Sequence, residues 1–271
     1  MPARACGRLP GRASLMTFPL YISLGPWQVH PHFFFETLAY FLGARLYFVL
    51  KRRWADPLQS STRLGVIAGA ALGAGLGSRL VHLLDEWPLW LEGQVSTASL
   101  LTGKSLVGGL LGGLLGVELA KKLIGEQRST GDLFVLPLCL GIFVGRLGCF
   151  FTGLEDHTYG VATSLPWGVD FGDGVRRHPT QLYEAAFMVF VAALSLVLRE
   201  RELRQGDLFR RFMVLDLTFR LGVDLLKPDP RPLLGLSGIQ WVCVAGLLYY
   251  ARDLPRLWLR RSGLPVQTDA R

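Results

Sequence analysis

The chain has 271 residues, of which 50% are apolar and only 18% charged, with a formal net charge of +8. That balance is more apolar than an ordinary soluble domain, and so many apolar blocks in succession would leave a soluble helical protein too little polar surface. Nucleic-acid binding is disfavoured too, because Lys and Arg form short clusters between apolar blocks, the pattern of a membrane protein with basic cytoplasmic loops.

The opening segment MPARACGRLPGRASL is rich in Arg but has no adjoining apolar run, so it does not match a cleavable secretion signal. It reads either as a disordered tail or, the preferred alternative, as residues ahead of a true start at Met16. Residues 1–29 are therefore expected to be a tail, 30–252 one membrane domain, and 253–271 a basic cytoplasmic tail.

A helix needs roughly 20 mostly apolar residues to cross a hydrocarbon core of about 30 Å. The first expected span is FFFETLAYFLGARLYFVL at 33–50, stopped by Lys51, Arg52 and Arg53. The second follows Arg63 as LGVIAGAALGAGLGSRLVHLL and ends at Asp85. The connecting EWPLWLEGQ reads as re-entrant or interfacial, since Trp favours the headgroup level. The third span, SLVGGLLGGLLGVELA, is closed by Lys121 and Lys122, and the fourth starts at Asp132 and continues as FVLPLCLGIFVGRLGCFF. A polar loop spans about 152–179; the fifth span covers about 181–198 and ends in RERELR. The sixth covers about 208–226 and the seventh about 234–251.

Together these predict an all-α, polytopic integral membrane protein of about seven transmembrane helices. Basic clusters follow the first, third, fifth and seventh spans, which sets those loops on the cytoplasmic side. The N-terminus is then periplasmic and the C-terminus cytoplasmic, although Arg176, Arg177, Lys227 and Arg231 place some positive charge on the other side. Gly69, Gly73 and Gly77 recur every four residues, as do Gly108, Gly112 and Gly116. Such faces let helices approach closely in lipid; a phosphate-cradling loop is the weaker reading, because no strand precedes either run.

An ionisable side chain in the bilayer core costs about 2.5–3.5 kcal/mol on insertion scales and usually has a partner or a task. The candidates are Glu36, Arg45, Arg79, His82, Glu118, Arg146, Glu184, Asp216, Arg220 and Asp224. For Arg45 and Glu118, near the inner boundary, a snorkelling side chain or ion pair suffices. Asp216, Arg220 and Asp224 share one face of the sixth span. That stripe either pairs with itself or holds an arginine ready for an anion, and the planar guanidinium fork suits phosphate. Arg146 stands between Gly145 and Gly148, which leave room beside it. Gln181 and Glu184 share a helical face at the start of the fifth span. Arginines, carboxylates and histidines at the outer ends of three spans point to an anionic headgroup site with acid–base groups beside it.

The motifs GRLGCFFTG at 145–153, RHPTQLYEA at 177–185, and FRLGVD at 219–224 followed by LGLSGIQW at 234–241 resemble the bacterial prolipoprotein diacylglyceryl transferases. The Gly-rich run ending in Ser78-Arg79 agrees as well. The resemblance implies a seven-helix enzyme of the bacterial inner membrane, with its site facing the periplasm. Its reaction would move the diacylglyceryl group of phosphatidylglycerol to the lipobox cysteine thiol of a lipoprotein precursor, forming a thioether and releasing glycerol phosphate.

By the same resemblance, Arg146, Gly145, Gly148, Arg79, Gln181 and Tyr183 are expected to bind phosphatidylglycerol. Arg220, Asp224, Glu155, His178 and Glu184 are expected to be catalytic. Asp224 stands where the family has Glu, and Glu155 lies one residue beyond the signature Glu position, which holds Leu154. Cys149 and Thr152 replace two signature Asn residues, and Val107 replaces a His. His157 or His178 would then serve as the base, and His32 and Glu36 both compete for the place of a tyrosine in the first span. Partners are phosphatidylglycerol, lipobox precursors and the bilayer, with no nucleic acid. No cofactor and no metal is expected: His30, His32, His82, His157 and His178 lack ligand spacing, and displacement at carbon does not require Mg²⁺. Cys6, Cys139, Cys149 and Cys243 form no CxxC pair. Two other readings stand beside this one, a paralogue with altered donor or acceptor and a non-enzymatic lipid-binding or transport protein.

Overall fold

A computed structural model describes residues 18–54, 58, 60–93, 103–199 and 204–258. The outer parts of both expected tails, residues 1–17 and 259–271, lie outside the described residues, as does the connection at 94–102. The described part opens with a hairpin of β1 (Ile22–Leu24) and β2 (Trp27–Val29). Helices follow: α1 (Pro31–Arg53), α2 (Ser60–Asp85), the short α3 (Trp87–Leu91), α4 (Leu106–Ile124) and α5 (Val135–Thr152). After a second small ladder, β3 (Val169–Asp170) with β4 (Arg176–Arg177), come α6 (Thr180–Arg199), α7 (Asp207–Val223), α8 (Gly238–Tyr250) and α9 (Leu254–Trp258). The protein is thus mostly helical, with two short ladders that the all-α expectation did not include.

The helix ends follow their sequence. Pro31 opens α1 behind His30, whose ring accepts from the His32 amide, and Lys51, Arg52 and Arg53 close it, where cations suit the helix dipole. Ser105 caps α4 through the Gly108 amide, and its own amide donates to Ser78 O at 3.1 Å, which ties α4 to α2.

The two glycine repeats are the two sides of one interface. A Cβ placed on Gly69 would lie 2.6 Å from Gly116 O and from Ala120 Cβ, and one on Gly73 would lie 2.9 Å from Gly116 Cα. A Cβ on Gly77 would stand 2.7 Å from Gly112 Cα. The partners run in reverse order, so α2 and α4 are antiparallel and meet backbone to backbone. The outer face of α2 carries Leu64, Leu72, Leu76, Leu80 and Leu84, all exposed.

Among the described residues, four helices are long and apolar enough to cross a membrane: Pro31–Arg53, Ser61–Asp85, Asp132–Asp156 and Thr180–Arg199. Half of the most apolar stretch of the third is buried in the protein, against 11% in each of the first two, so α5 is the central helix. α4 is excluded by Glu118, Lys121 and Lys122 near its end, and α8 has only 13 residues. α7 has 17 residues and keeps Asp216 and Arg220 buried beside Phe212, Met213 and Leu217. Asp216 and Arg220 thus face protein and lower the hydropathy of α7 without being exposed.

The seventh expected span starts later in the structure, at Gly238. Leu234 and Gly235 adopt positive φ in a turn closed by the Leu236 amide on Leu233 O. A capping box of Ser237 and Gln240 then starts α8, and Asp85 at the end of α2 accepts from the Ile239 amide at 3.0 Å.

Candidate functional site

α5, α6 and α7 bring Arg146, Glu184 and Arg220 into contact inside the bundle. Glu184 Oε2 takes Arg146 Nε at 2.5 Å and Arg220 Nη2 at 2.8 Å. Its Oε1 takes Lys227 Nζ at 3.2 Å, and Lys227 also reaches Asp224 Oδ1 at 3.2 Å. Asp224 opens a short 3₁₀ turn after α7, so the chain curls back and delivers Lys227 to the same carboxylate. Glu184, Arg220, Asp224, Lys227 and Asp216 are all buried, and the Arg146 side chain is only 11% exposed.

Three cations thus share the core with three carboxylates. Two guanidinium groups offer ten N–H donors, far more than one carboxylate oxygen can accept. Donors therefore remain for a further anion. Gln181 sits one turn before Glu184, is fully buried, and has no hydrogen-bond partner for Oε1 or Nε2 among the described residues. Leaving buried polar atoms unpaired costs about 1–3 kcal/mol. Asp216 Oδ2, one turn before Arg220, is also without such a partner.

The other expected site residues divide. A Cβ on Gly148 would lie 2.6 Å from Phe35 Cβ, so this glycine admits α1, whereas nothing stands within 4 Å of such an atom on Gly145. Tyr183 and His178 form a separate chain: Trp167 Nε1 donates to Tyr183 OH at 2.8 Å, and that oxygen lies 3.1 Å from His178 Nδ1. Indole only donates, so Tyr183 OH accepts from Trp167, and the direction of its contact with His178 Nδ1 follows the imidazole tautomer. Arg79 is bonded elsewhere, donating to Gly103 O at 3.1 Å. Glu155 is exposed and faces His30 at 3.5 Å, and His157 is exposed at positive φ. The structure therefore brings together Arg146, Gln181, Glu184, Arg220 and Asp224, and leaves Arg79, Glu155 and His157 outside that cluster.

A second group adjoins the first. His32 Nδ1 lies 2.8 Å from Asp156 Oδ1, and Asp156 Oδ2 accepts from Thr158 Oγ1 at 2.5 Å. Cys149 Sγ completes a trio whose ligand-type atoms all lie within 4.8 Å of one another, a set able to hold a metal ion. Arg146 Nη1 stands 3.8 Å from the same sulfur, which links the two groups. Cys149, Cys139 and Cys243 are free thiols. Neither Lys227 nor the meeting of His32 with Asp156 was anticipated. Lys227 reads in sequence as a loop charge, and residues more than a hundred positions apart carry no spacing signal.

The polar loop after α5 is tied down over this end of the bundle. The Gly160 amide donates to His178 O, the Val161 amide to Leu226 O, and the Thr163 amide to Arg176 O. Arg177, bonded to Asp173 at 2.7 Å, holds that exposed carboxyl below its usual range and lies over the Tyr159 ring.

Comparison with known proteins gives a consistent result. Residues 19–251 match the family described as prolipoprotein diacylglyceryl transferase. A phosphatidylglycerol–prolipoprotein diacylglyceryl transferase of Nitratidesulfovibrio vulgaris (strain DP4) is 31% identical over 272 residues, covering 94% of this chain and 100% of that protein. The enzyme of the same name from Solidesulfovibrio magneticus is 33% identical, covering 92% and 96%. That from Geobacter sulfurreducens is 32% identical, covering 80% and 85%. With a family match over nearly the whole described bundle and relatives of this length and identity, the chain belongs to the prolipoprotein diacylglyceryl transferase family.

Proposed function

We propose that this chain transfers the diacylglyceryl group of phosphatidylglycerol to the lipobox cysteine of lipoprotein precursors. The observation that carries the reading is the buried arrangement of Arg146 and Arg220 on one oxygen of Glu184, beside the unpaired amide of Gln181. In the reaction the cysteine sulfur attacks the glyceryl carbon next to the phosphate. A C–S bond forms, the C–O bond breaks, and its electron pair leaves with glycerol phosphate. Negative charge grows on the phosphate as this happens. Two fixed guanidinium groups in a water-poor site stabilise that charge strongly, because they need no reorganisation. Glu184 keeps the like-charged arginines side by side until the lipid arrives, and Gln181 supplies one donor and one acceptor to the headgroup. His178, Tyr183 and Asp224 complete the surroundings as acid–base and positioning groups. Arg79 and Glu155 act at the rim, on the incoming headgroup or peptide.

The supporting frame is a single domain over residues 30–252 that crosses a bacterial inner membrane seven times, with its site toward the periplasm. The four basic clusters favour this orientation, since Lys and Arg are retained on the cytoplasmic side. α4, α7 and α8 would make up the count beyond the four apolar helices, shielded from lipid by their neighbours.

The test is mass spectrometry of a lipobox peptide incubated with purified protein and phosphatidylglycerol. Wild type should add a diacylglyceryl mass to the cysteine, and Arg146→Ala should not. Absence of thioether product with the wild-type protein would overturn the reading.

A further inference from the structure

We propose that His32, Cys149 and Asp156 form a binding site for a zinc-class divalent cation, whose open fourth position takes the thiolate of the acceptor cysteine. The site itself stands on geometry alone; the identity of its fourth ligand rests on the transferase reading above.

The three residues come from different parts of the chain: the first turn of α1, the last turn of α5, and the 3₁₀ turn Gly153–Asp156. Their imidazole, thiol and carboxylate atoms converge within 4.8 Å of one another. That mixture of nitrogen, sulfur and oxygen donors is one that zinc accepts. Zinc bonds of about 2.0–2.3 Å at tetrahedral angles put donors on the order of 3.3–3.7 Å apart. The His32–Asp156 pair, now at 2.8 Å, would open by well under an ångström to admit the ion.

Each donor also has an outer partner of the kind that orients metal ligands. His32 presents Nδ1 to the trio, while its Nε2 faces Glu36 Oε2 at 3.8 Å, and Glu36 is itself held by Lys104 at 2.7 Å. Thr158 fixes the second oxygen of Asp156, and Arg146 points a guanidinium N–H at the Cys149 sulfur. The charges balance. A thiolate and a carboxylate neutralise a dication, and the nearby charge of Arg146 is already met by Glu184.

Exposure sets the function of such a site. The Asp156 side chain is 8% exposed and Cys149 is buried, while the His32 side chain is 39% exposed, so the trio is closed on one side and open on the other. Three protein ligands with an open position are the pattern of catalytic rather than structural zinc. A thiol that binds there loses its proton to solvent and becomes a thiolate. Its lone pair then forms the C–S bond while the C–O electron pair departs with the phosphate toward Arg146 and Arg220. The cation would thus prepare the nucleophile beside the groups that hold the leaving group.

The experiment uses the full-length protein in detergent, in a Cys6→Ser background, stripped with chelator and titrated with Co²⁺ alone. The proposal expects about one cobalt per chain, with a thiolate-to-cobalt charge-transfer band. Cys149→Ser should lose the band, and Asp156→Asn should weaken binding at least tenfold. A lipobox peptide should intensify the band, and the same peptide with Ser in place of Cys should not. Failure of the wild-type protein to bind stoichiometric cobalt would overturn the site, as would a band that survives Cys149→Ser. Should a variant fail to fold, the wild-type titration and its peptide response still decide. Cobalt bound with no transfer in the reloaded enzyme would count against the transferase reading alone. Transfer that persists in metal-free protein would overturn the cation, leaving His32 and Asp156 as a hydrogen-bonded acid–base pair.

Discussion

Between α2 and α4 the helices meet through hydrogen atoms, with Gly69, Gly73 and Gly77 against Gly116, Gly112 and Gly108. Between α5, α6 and α7 they meet through full charges, with Arg146, Arg220 and Lys227 around Glu184. In lipid no hydrophobic force separates helix from surroundings, so close backbone packing is a direct way to hold two helices together. The glycine seam does this and carries no chemistry. The charged cluster holds three elements together less economically, since burying ions carries a desolvation cost that apolar side chains would avoid. Its retention makes sense if the charges serve the reaction. The contrast separates a contact that packs backbone on backbone from one that buries charge, which the proposed reaction would use.

The largest expected effect comes from removing the shared carboxylate. Glu184→Ala leaves three buried cations facing fewer carboxylates and should destabilise the protein by about 3–5 kcal/mol. It should also cut transfer by roughly a hundredfold or more. Thermal unfolding in detergent and product mass check the two parts, and a stable, active variant would break the comparison. Next, Gly73→Ala should cost about 1–3 kcal/mol, because its Cβ has no room against Gly112 and Gly116. Gly75→Ala, with nothing within 4 Å, should instead add about 0.5–1 kcal/mol through helix propensity. The opposite order of melting temperatures would place the seam elsewhere. Arg146→Lys keeps the charge and loses the fork, so transfer should fall about tenfold with little change in unfolding.

The smallest effect concerns Asp173, whose carboxyl Arg177 holds below its ordinary range. Its folded-state value is depressed, so its stabilisation is present above the unfolded value of about 3.9 and is lost as pH falls through the folded one. The pair is exposed and screened. Asp173→Asn should therefore differ slightly from wild type in melting temperature at neutral pH, and the difference should vanish in acid.

Much of this was legible in the sequence where the signal lies within one helix. The four-residue glycine repeats announce the seam, and Asp216, Arg220 and Asp224 announce a buried polar face along α7 and the turn that follows it. Partners across helices leave no such trace. Arg220 is met by Glu184 on α6, and Lys227 looks like a loop charge until the 3₁₀ turn folds it inward. Gly145 and Gly148 look alike around Arg146, yet only Gly148 is pressed by Phe35. The His32, Cys149 and Asp156 group is invisible to any rule of ligand spacing, because the tertiary fold assembles it. Hydropathy marks four of the described helices plainly, and α7, which carries the buried Asp216 and Arg220, is not among them.

The central claim is that Arg146 and Arg220 act together, through Glu184, on one phosphate. The direct test is a double-mutant cycle on the single-turnover rate of thioether formation, with Arg146→Lys, Arg220→Lys and both. If the arginines grip the same leaving group, the double variant should be only slightly slower than the worse single variant, because either change already spoils the shared grip. Losses that multiply independently would contradict the account.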